Sequence, residues 1–290
     1  MTLLYLMING LQIGSIYALV ALGYSMVYGI VKLVNFAHGD IIMVGAYSTW
    51  YIMAKYSAPA WFAALASIVI CSALGMLIEK IAYKPLRKSD RLSLLVTAIG
   101  ISLLLQNLAQ LIFSANPRMF ANIFTGTVTV GERSFSNATT VTIAVSVIIM
   151  IGLTVLVKRT KIGKAMRAVS EDGEAATLMG INVNNTISFT FALGSGLAAI
   201  ASVFYCCSYS QIQPAMGGML GLKAFVAAVL GGIGSIPGAM IGGLCIGVAE
   251  SLTKGYVSSQ LTDAVVFGIL IVVLLIKPSG ILGRQRNEKV

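Results

Sequence analysis

His38 and Asp40, in the segment NFAHGD, are ionisable side chains that are candidates for a functional role within an apolar run. They follow Lys32 closely and open an apolar run. Inside a membrane such groups are usually functional, so one interpretation is a gate or a polar lining of a path. The alternative is structural: Asp40 would cap the start of a helix by accepting backbone N–H groups.

Catalytic and nucleotide-binding motifs are absent from the sequence. One histidine excludes a multi-histidine metal site, and the four cysteines lie in apolar runs without metal-ligand spacing. There is no GxxxxGK[ST] phosphate loop, and the glycine-rich GGIGSIPG follows no strand. We therefore expect no enzymatic activity, no cofactor, no metal and no ATP hydrolysis by this chain itself.

Two further sets of polar residues lie within or beside apolar runs. Glu250, Lys254 and Asp263 surround a short connection, where they either contact a partner outside the membrane or form a solvated hairpin. Helical spacing would place Gln106 and Gln110 on one helix face, together with Ser102. Neutral polar residues either line a path or bond neighbouring helices, which is their usual role in a bundle: Asn9, Gln12, Ser15, Tyr17, Ser102, Gln106, Asn107 and Gln110.

The segment KRTKIGKAMRAVSEDGEAATLMGINVNN, which begins at Lys158, mixes five basic and three acidic residues with small apolar ones. Ala175, Ala176, Leu178 and Met179 predict one short amphipathic helix. It would end at Gly180, because glycine readily adopts the left-handed conformation of a helix C-cap. Such a helix either docks a cytoplasmic partner or rests on lipid headgroups, and the residues alone favour neither.

The elements that position these residues must lie in lipid. Of the 290 residues 57% are hydrophobic and only 10% charged, with a mean hydropathy of +0.89. A soluble globule carries about a quarter charged residues, so soluble enzymes, disordered tails and secreted disulfide modules are excluded. The net charge of +10 does not indicate nucleic acid, because the basic residues flank long apolar runs.

The apolar runs predict an all-α polytopic membrane protein with eight or nine transmembrane segments, one of them broken. The break is expected in GGIGSIPGAMIGG, between a half-helix over 220–230 and a full helix over 239–252. An alternative for the first run is a hairpin. The runs cover approximately residues 1–31, 33–54, 56–78, 92–115, 139–157, 186–208, 217–253 and 257–276.

Placing the basic clusters in the cytoplasm orients the chain. Fifteen basic residues then lie inside and five outside, with the C-terminus cytoplasmic and Met1 outside. The loop at about 158–185 would be cytoplasmic and the loop at about 116–138 extracytoplasmic. The chain as a whole, residues 1–290, is predicted to be a single transmembrane domain.

Several stretches resemble a known family. Glu174-Ala175-Ala176-x-x-x-Gly180 is similar to the EAA-x-x-x-G coupling signature of ATP-binding-cassette (ABC) importer permeases. The segments NGLQIGSIYALVALGYSMVYGIVKLVNFAHGD, RAVSEDGEAATLMGINV, GLKAFVAAVLGGIGSIPGAMIGG and KPSGILG resemble, in order and spacing, the LivH-type permeases of branched-chain amino acid importers. The resemblance covers essentially the whole chain.

The resemblance implies a permease in the bacterial plasma (inner) membrane that forms the translocation path of an ATP-driven importer. Its partners would be a second, related permease in a heterodimer, two cytoplasmic ATPases and an extracytoplasmic binding protein. Arg167, Glu174, Ala175, Ala176 and Gly180 would couple the ATPases to the spans. Substrate-contacting residues are not assigned. Urea, short amides and a carrier not coupled to ATP stay open as alternatives.

Overall fold

The computed structural model describes residues 3–32, 34–87, 89–130 and 133–283, which form mainly helices. A π-helical turn, Glu79–Tyr83, joins the helix Ala60–Ile78 to the short helix Lys84–Leu86, so that the two form one continuous helix. The helices are α1 (Leu3–Val31), α2 (His38–Tyr56), α3 (Ala60–Ile78), α4 (Lys84–Leu86), α5 (Arg91–Phe113), α6 (Asn137–Arg159), α7 (Lys161–Glu171), α8 (Gly173–Leu178), α9 (Val183–Tyr209), α10 (Met216–Gly231), α11 (Ile236–Tyr256) and α12 (Thr262–Ile276).

Six helices among the described residues are long and apolar enough to cross a membrane. They are α1, the continuous helix Ala60–Leu86, α5, α6, α9 and α11; α10 and α12 are apolar but shorter. By position, the predicted segments coincide with these helices together with α2. The number that cross the membrane stays a prediction.

The centre of the molecule is α1, and it packs against α6, α9, α10 and α11. A helix that is apolar on every side belongs in a core, and residues 14–27 of α1 are all buried. The outer helices α3, α5, α6 and α12 instead expose apolar side chains such as Val69, Leu111, Ile148 and Leu275. Apolar residues thus lie both in the core and on the exposed helix faces, as expected for a protein surrounded by lipid.

Small residues let α1 and α11 approach closely. A Cβ atom added to Gly10 would lie 2.7 Å from Val248 Cα, and one added to Gly14 would lie 2.8 Å from Leu244 Cα. Gly243 and Gly247 of α11 pack in turn on Ala18 and Gly14. Such small-residue contacts maximise van der Waals packing where no hydrophobic force drives helices together.

The predicted break lies between α10 and α11. Gly232 and Gly234 have φ of 104° and 89°, values that favour glycine. Ser235 then caps α11 by accepting from Gly238 N at 3.2 Å, and Pro237 stands in its first turn. The half-helix is longer than expected, because α10 already begins at Met216.

The chain end completes this region. Ile281 N donates to Leu230 O at 2.8 Å, and Leu282 N donates to Gly231 O at 3.0 Å. These bonds satisfy carbonyl groups at the end of α10 that have no partner within the helix. The segment KPSGILG is therefore part of the packed structure.

Two parts of the prediction need correction. The fold is not purely α-helical, because β2 (Thr127–Val130) pairs with β3 (Arg133–Ser136), and β1 (Arg118–Met119) pairs with β4 (Gln211–Ile212). Alternating β-branched residues in TVTV favour a strand, a signal weaker than the apolar runs. The hairpin alternative for the first run is wrong, since α1 is one helix. The predictions for Met1, Lys88 and the basic residues after Gly283 fall outside the described residues.

Candidate functional site

The predicted coupling segment forms two consecutive short helices, α7 and α8. Thr160 begins α7 by accepting from Gly163 N at 3.0 Å. Asp172 begins α8, accepting from Glu174 N at 2.9 Å and Ala175 N at 3.0 Å. Met166 and Val169 of α7 are buried against the helical body, while its lysines are exposed. Two capped helices thus replace the single short helix expected here.

Gly180 ends α8 as the sequence predicts. Its φ is 81°, and Gly180 N donates to Thr177 O while Ile181 N donates to Ala176 O, both at 3.0 Å. This pair of bonds is a Schellman motif, which satisfies the last carbonyl groups of the helix. A Cβ atom at Gly180 would meet open space, so conformation alone accounts for the need for glycine.

The tip of α8 presents an apolar pair to the outside. Leu178 is 89% exposed and Met179 is 83% exposed. Glu174, Ala175 and Gly180 are exposed beside them, whereas Ala176 is buried against the body. We call the exposed residues Glu174, Ala175, Leu178, Met179 and Gly180 the α8 surface. An exposed apolar pair rimmed by polar residues is typical of an interaction site.

Arg167 is not part of the α8 surface. It lies on α7, donates to Lys158 O at 3.2 Å, and lines a cavity of about 550 Å³. Ser235 and Leu282 line the same cavity, so the start of α11 and the chain end share a face of the molecule with α7. The structure therefore brings four predicted coupling residues together on α8 and places the fifth beside the glycine-rich break.

A buried ionic cluster lies near the other end of α11, about 20 Å from its start at 1.5 Å per residue. Glu250 is 1% exposed and accepts from Lys254 Nζ at 2.7 Å, Lys223 Nζ at 3.2 Å and Tyr17 Oη at 2.5 Å. Lys223 also pairs with Asp263 at 2.7 Å. The solvated-hairpin interpretation is wrong for Glu250, because the carboxylate joins α1, α10 and α11.

Asp40 does not cap its helix. The N-cap residue of α2 is Ala37, without a side-chain bond. Asp40 is 1% exposed, and its Oδ1 accepts from Gln106 Nε2 of α5 at 2.9 Å. The ring of His38 packs edge-on against Tyr24, with centroids 4.7 Å apart. His38 is the first residue of α2, and Tyr24 lies seven residues before the end of α1. The start of α2 therefore lies beside α1 at a point about 10 Å before the end of α1.

The other polar residues mostly bond within or between helices. Gln12 donates to Ser208 Oγ and accepts from Thr139 Oγ1, each at 2.8 Å, joining α1 to α9 and α6. Ser102 and Gln106 lie on one face of α5, with Oγ and Nε2 3.3 Å apart. Ser15 and Asn107 bond to backbone carbonyl groups of their own helices.

Sequence reasoning missed Lys223 as a partner of Glu250. The two are 27 positions apart on different helices, and the signal was only a lone lysine in an apolar run. It also missed Glu79, which is fully buried, is paired with Arg87 and accepts from Ser188 Oγ at 2.5 Å. Glu79 was overlooked because it stands directly before Lys80, at what resembles an ordinary loop end.

A bundle of helices long and apolar enough to cross a membrane, with two capped helices exposed on one face, fits the class of polytopic membrane permeases. More particularly, the chain belongs to the family described as "Branched-chain amino acid transport system / permease component", which matches residues 6–275. The permease protein BraD of Pseudomonas aeruginosa is 44% identical, with 98% of this chain and 97% of that protein covered. LivH of Escherichia coli K12 is 45% identical, with 98% and 96% covered.

More distant similarity extends to an archaeal protein and to a solved structure. The probable LivH permease of Methanocaldococcus jannaschii is 31% identical over 93% of this chain and 89% of that protein. The structure of PsaBC from Streptococcus pneumoniae in complex with Fab matches with a TM-score of 0.50 and 15% identity, covering 93% of this chain and 91% of that chain. At this identity the match speaks for the fold alone.

Proposed function

We propose that this chain is the permease subunit of an ATP-driven importer for branched-chain amino acids in the bacterial inner membrane. The observation that carries the proposal is 44 to 45% identity over 98% of the chain to permeases named as high-affinity branched-chain amino acid transport proteins. These relatives favour neither the urea and amide alternatives nor a carrier independent of ATP.

The orientation follows from charge. The face that carries α7, α8 and residues 158–185 is cytoplasmic, because the basic clusters at 80–91 and 158–167 belong inside. Residues 116–138, with strands β2 and β3, then lie outside. The described chain end shares the α7 face, since Leu282 lines the cavity beside Arg167, and this supports a cytoplasmic C-terminus for the single domain 1–290.

The α8 surface couples the permease to two ATPase subunits, on which ATP hydrolysis takes place. Its fixed caps make α8 a rigid body, so movement of a bound ATPase is passed to α7 and onward to the spans. Arg167 acts beside it, where α7 meets the break before α11. A second permease, related but different, covers exposed apolar helix faces, and a binding protein delivers the amino acid outside.

The experiment is ATP-dependent uptake of labelled leucine, isoleucine, valine and urea into vesicles that hold this chain with its second permease, ATPases and binding protein. Uptake of the three amino acids that is lost when this subunit is omitted is expected. Uptake of urea alone would assign the chain to urea and amide transport instead, and uptake without ATP would favour a secondary carrier.

A further inference from the structure

A small cavity of about 220 Å³ lies between α2, α5 and α10. At ~30 Å³ for each liquid water this is the volume of about seven water molecules, which suits one small solute. Apolar side chains form much of its wall, among them Phe36, Ile99, Leu103 and Phe225. Asp40 and the glycine face of α10, which consists of Gly217, Gly218 and Gly221, also line it.

Asp40 is the charged group among the residues that line this cavity. Within the described parts of the chain, no lysine or arginine nitrogen lies within 4 Å of its carboxylate, in contrast to Glu79 and Glu250. Its polar neighbours are the neutral side chains of Gln106 and Ser102. A carboxylate buried without a cation is costly, so a cationic group of a ligand would find a strong partner here.

The position of Asp40 in its helix explains how the buried carboxylate is held. It is the third residue of α2, where the partial positive charge at a helix N-terminus stabilises an anion. Gln106 fixes one oxygen, and an ionised carboxylate has further acceptor positions. The group is thus oriented but not saturated.

The glycine face of α10 leaves room in front of this carboxylate. Gly217 and Gly221 pack directly on Gly39, whereas a Cβ atom at Gly218 would meet nothing within 4 Å. Leu103 and Leu222 at the mouth of the cavity are exposed, so it opens on a face that a second permease would cover. A solute passing between two permeases therefore meets both a carboxylate and an apolar wall.

We propose that this cavity is a substrate subsite, in which Asp40 binds the ammonium group of the translocated amino acid and the apolar wall receives its side chain. The inference rests on the proposed function and deepens it. It also favours amino acids over urea, since an ammonium group forms a charge-assisted ion pair with the carboxylate, whereas urea can donate only neutral hydrogen bonds to it. Asp40 then determines specificity along the path, independently of the binding protein.

The test is the amount of leucine transported per ATP hydrolysed by the complete complex in vesicles, with saturating leucine-loaded binding protein. Asp40→Asn keeps the acceptor for Gln106 and removes the charge. It should lower leucine per ATP at least tenfold while binding-protein-stimulated ATP hydrolysis persists, and Asp40→Glu should recover part of the loss. A merely structural role predicts that transport and ATP hydrolysis change together.

A pair of glycine variants tests the cavity without touching Asp40. Gly218→Leu fills the cavity and should lower leucine per ATP about as strongly. Gly268→Leu in α12 also meets open space but lies outside the cavity, and should leave the ratio unchanged. Two results would overturn the subsite alone, provided that the wild-type complex takes up leucine. One is an unchanged amount of leucine per ATP in Asp40→Asn, and the other is an equal effect of Gly218→Leu and Gly268→Leu. A wild-type complex that takes up no leucine overturns the proposed function and the subsite with it.

Discussion

The Tyr17 hydroxyl group in α1 donates a 2.5 Å hydrogen bond to the Glu250 carboxylate in α11. The two residues are 233 positions apart, and both are buried. Because Glu250 also pairs with Lys223 and Lys254, this bond ties the central helix to an ionic cluster rather than to a single partner.

Removing charge from Glu250 should destabilise the protein more than removing the Tyr17 hydroxyl group. Glu250→Gln breaks two ion pairs and should lower the free energy of unfolding by about 3 kcal/mol. This is the lower end of the range for buried pairs, because Lys223 still pairs with Asp263. Tyr17→Phe removes one interhelical hydrogen bond, which costs about 1 kcal/mol in membrane proteins. Thermal unfolding of the purified protein in detergent measures both, and the double variant gives their coupling. Additive losses would show that the two side chains do not interact.

The contact between α1 and α11 should not accept a larger side chain. Gly14→Leu forces atoms against the Leu244 backbone and should cost about 3 kcal/mol or more by overpacking. Gly100→Leu in α5 makes the same change where nothing lies within 4 Å, and should keep wild-type stability. The comparison is made by the yield and unfolding temperature of the two variants. Equal behaviour would contradict the close packing described here.

The conformation of Gly180 should matter for coupling. Gly180→Val places a branched side chain at positive φ, which costs about 1–2 kcal/mol and opens the Schellman motif. We expect uptake of leucine to fall about 5- to 30-fold, the population change that such an energy produces. Membrane insertion should be normal, as measured by the amount of protein in the membrane fraction.

Gly173→Val is the matched control for Gly180. Gly173 also meets open space, but it opens α8 without positive φ. Uptake by this variant should stay within twofold of wild type. Normal uptake by Gly180→Val, or an equal loss in both variants, would count against the coupling role of the α8 end.

The exposed apolar pair on α8 should determine ATPase binding. Leu178→Glu places a charge where the side chain is 89% exposed, so stability should change by no more than about 0.5 kcal/mol. Association with the ATPase should weaken at least tenfold, which corresponds to about 1.4 kcal/mol. Met119→Glu, 88% exposed on β1 at the opposite face, is the control. Retained ATPase binding with Leu178→Glu would exclude this surface.

The elements that were predicted correctly are those whose sequence signals are local. Long uncharged runs predicted α1, α5, α6 and α9 to within a few residues, because a helix in lipid must satisfy its backbone groups within its own segment. The glycine-rich break and the left-handed end of α8 at Gly180 could also be predicted, because a positive φ depends only on one residue and its neighbours.

The contacts between polar side chains, in contrast, depend on how the helices pack and could not be predicted. From the sequence, Asp40 was either a path residue or a helix cap, and Glu250 either contacted a partner or lay in a solvated hairpin. Both are buried against helices far away in the sequence. The depth at which α2 and α10 begin, and therefore the cavity between them, depends on Gly39 packing on Gly217. Such pairings are set by the packing of whole helices. Helical periodicity predicts on which face of its helix a residue lies, but not which residue of another helix it meets.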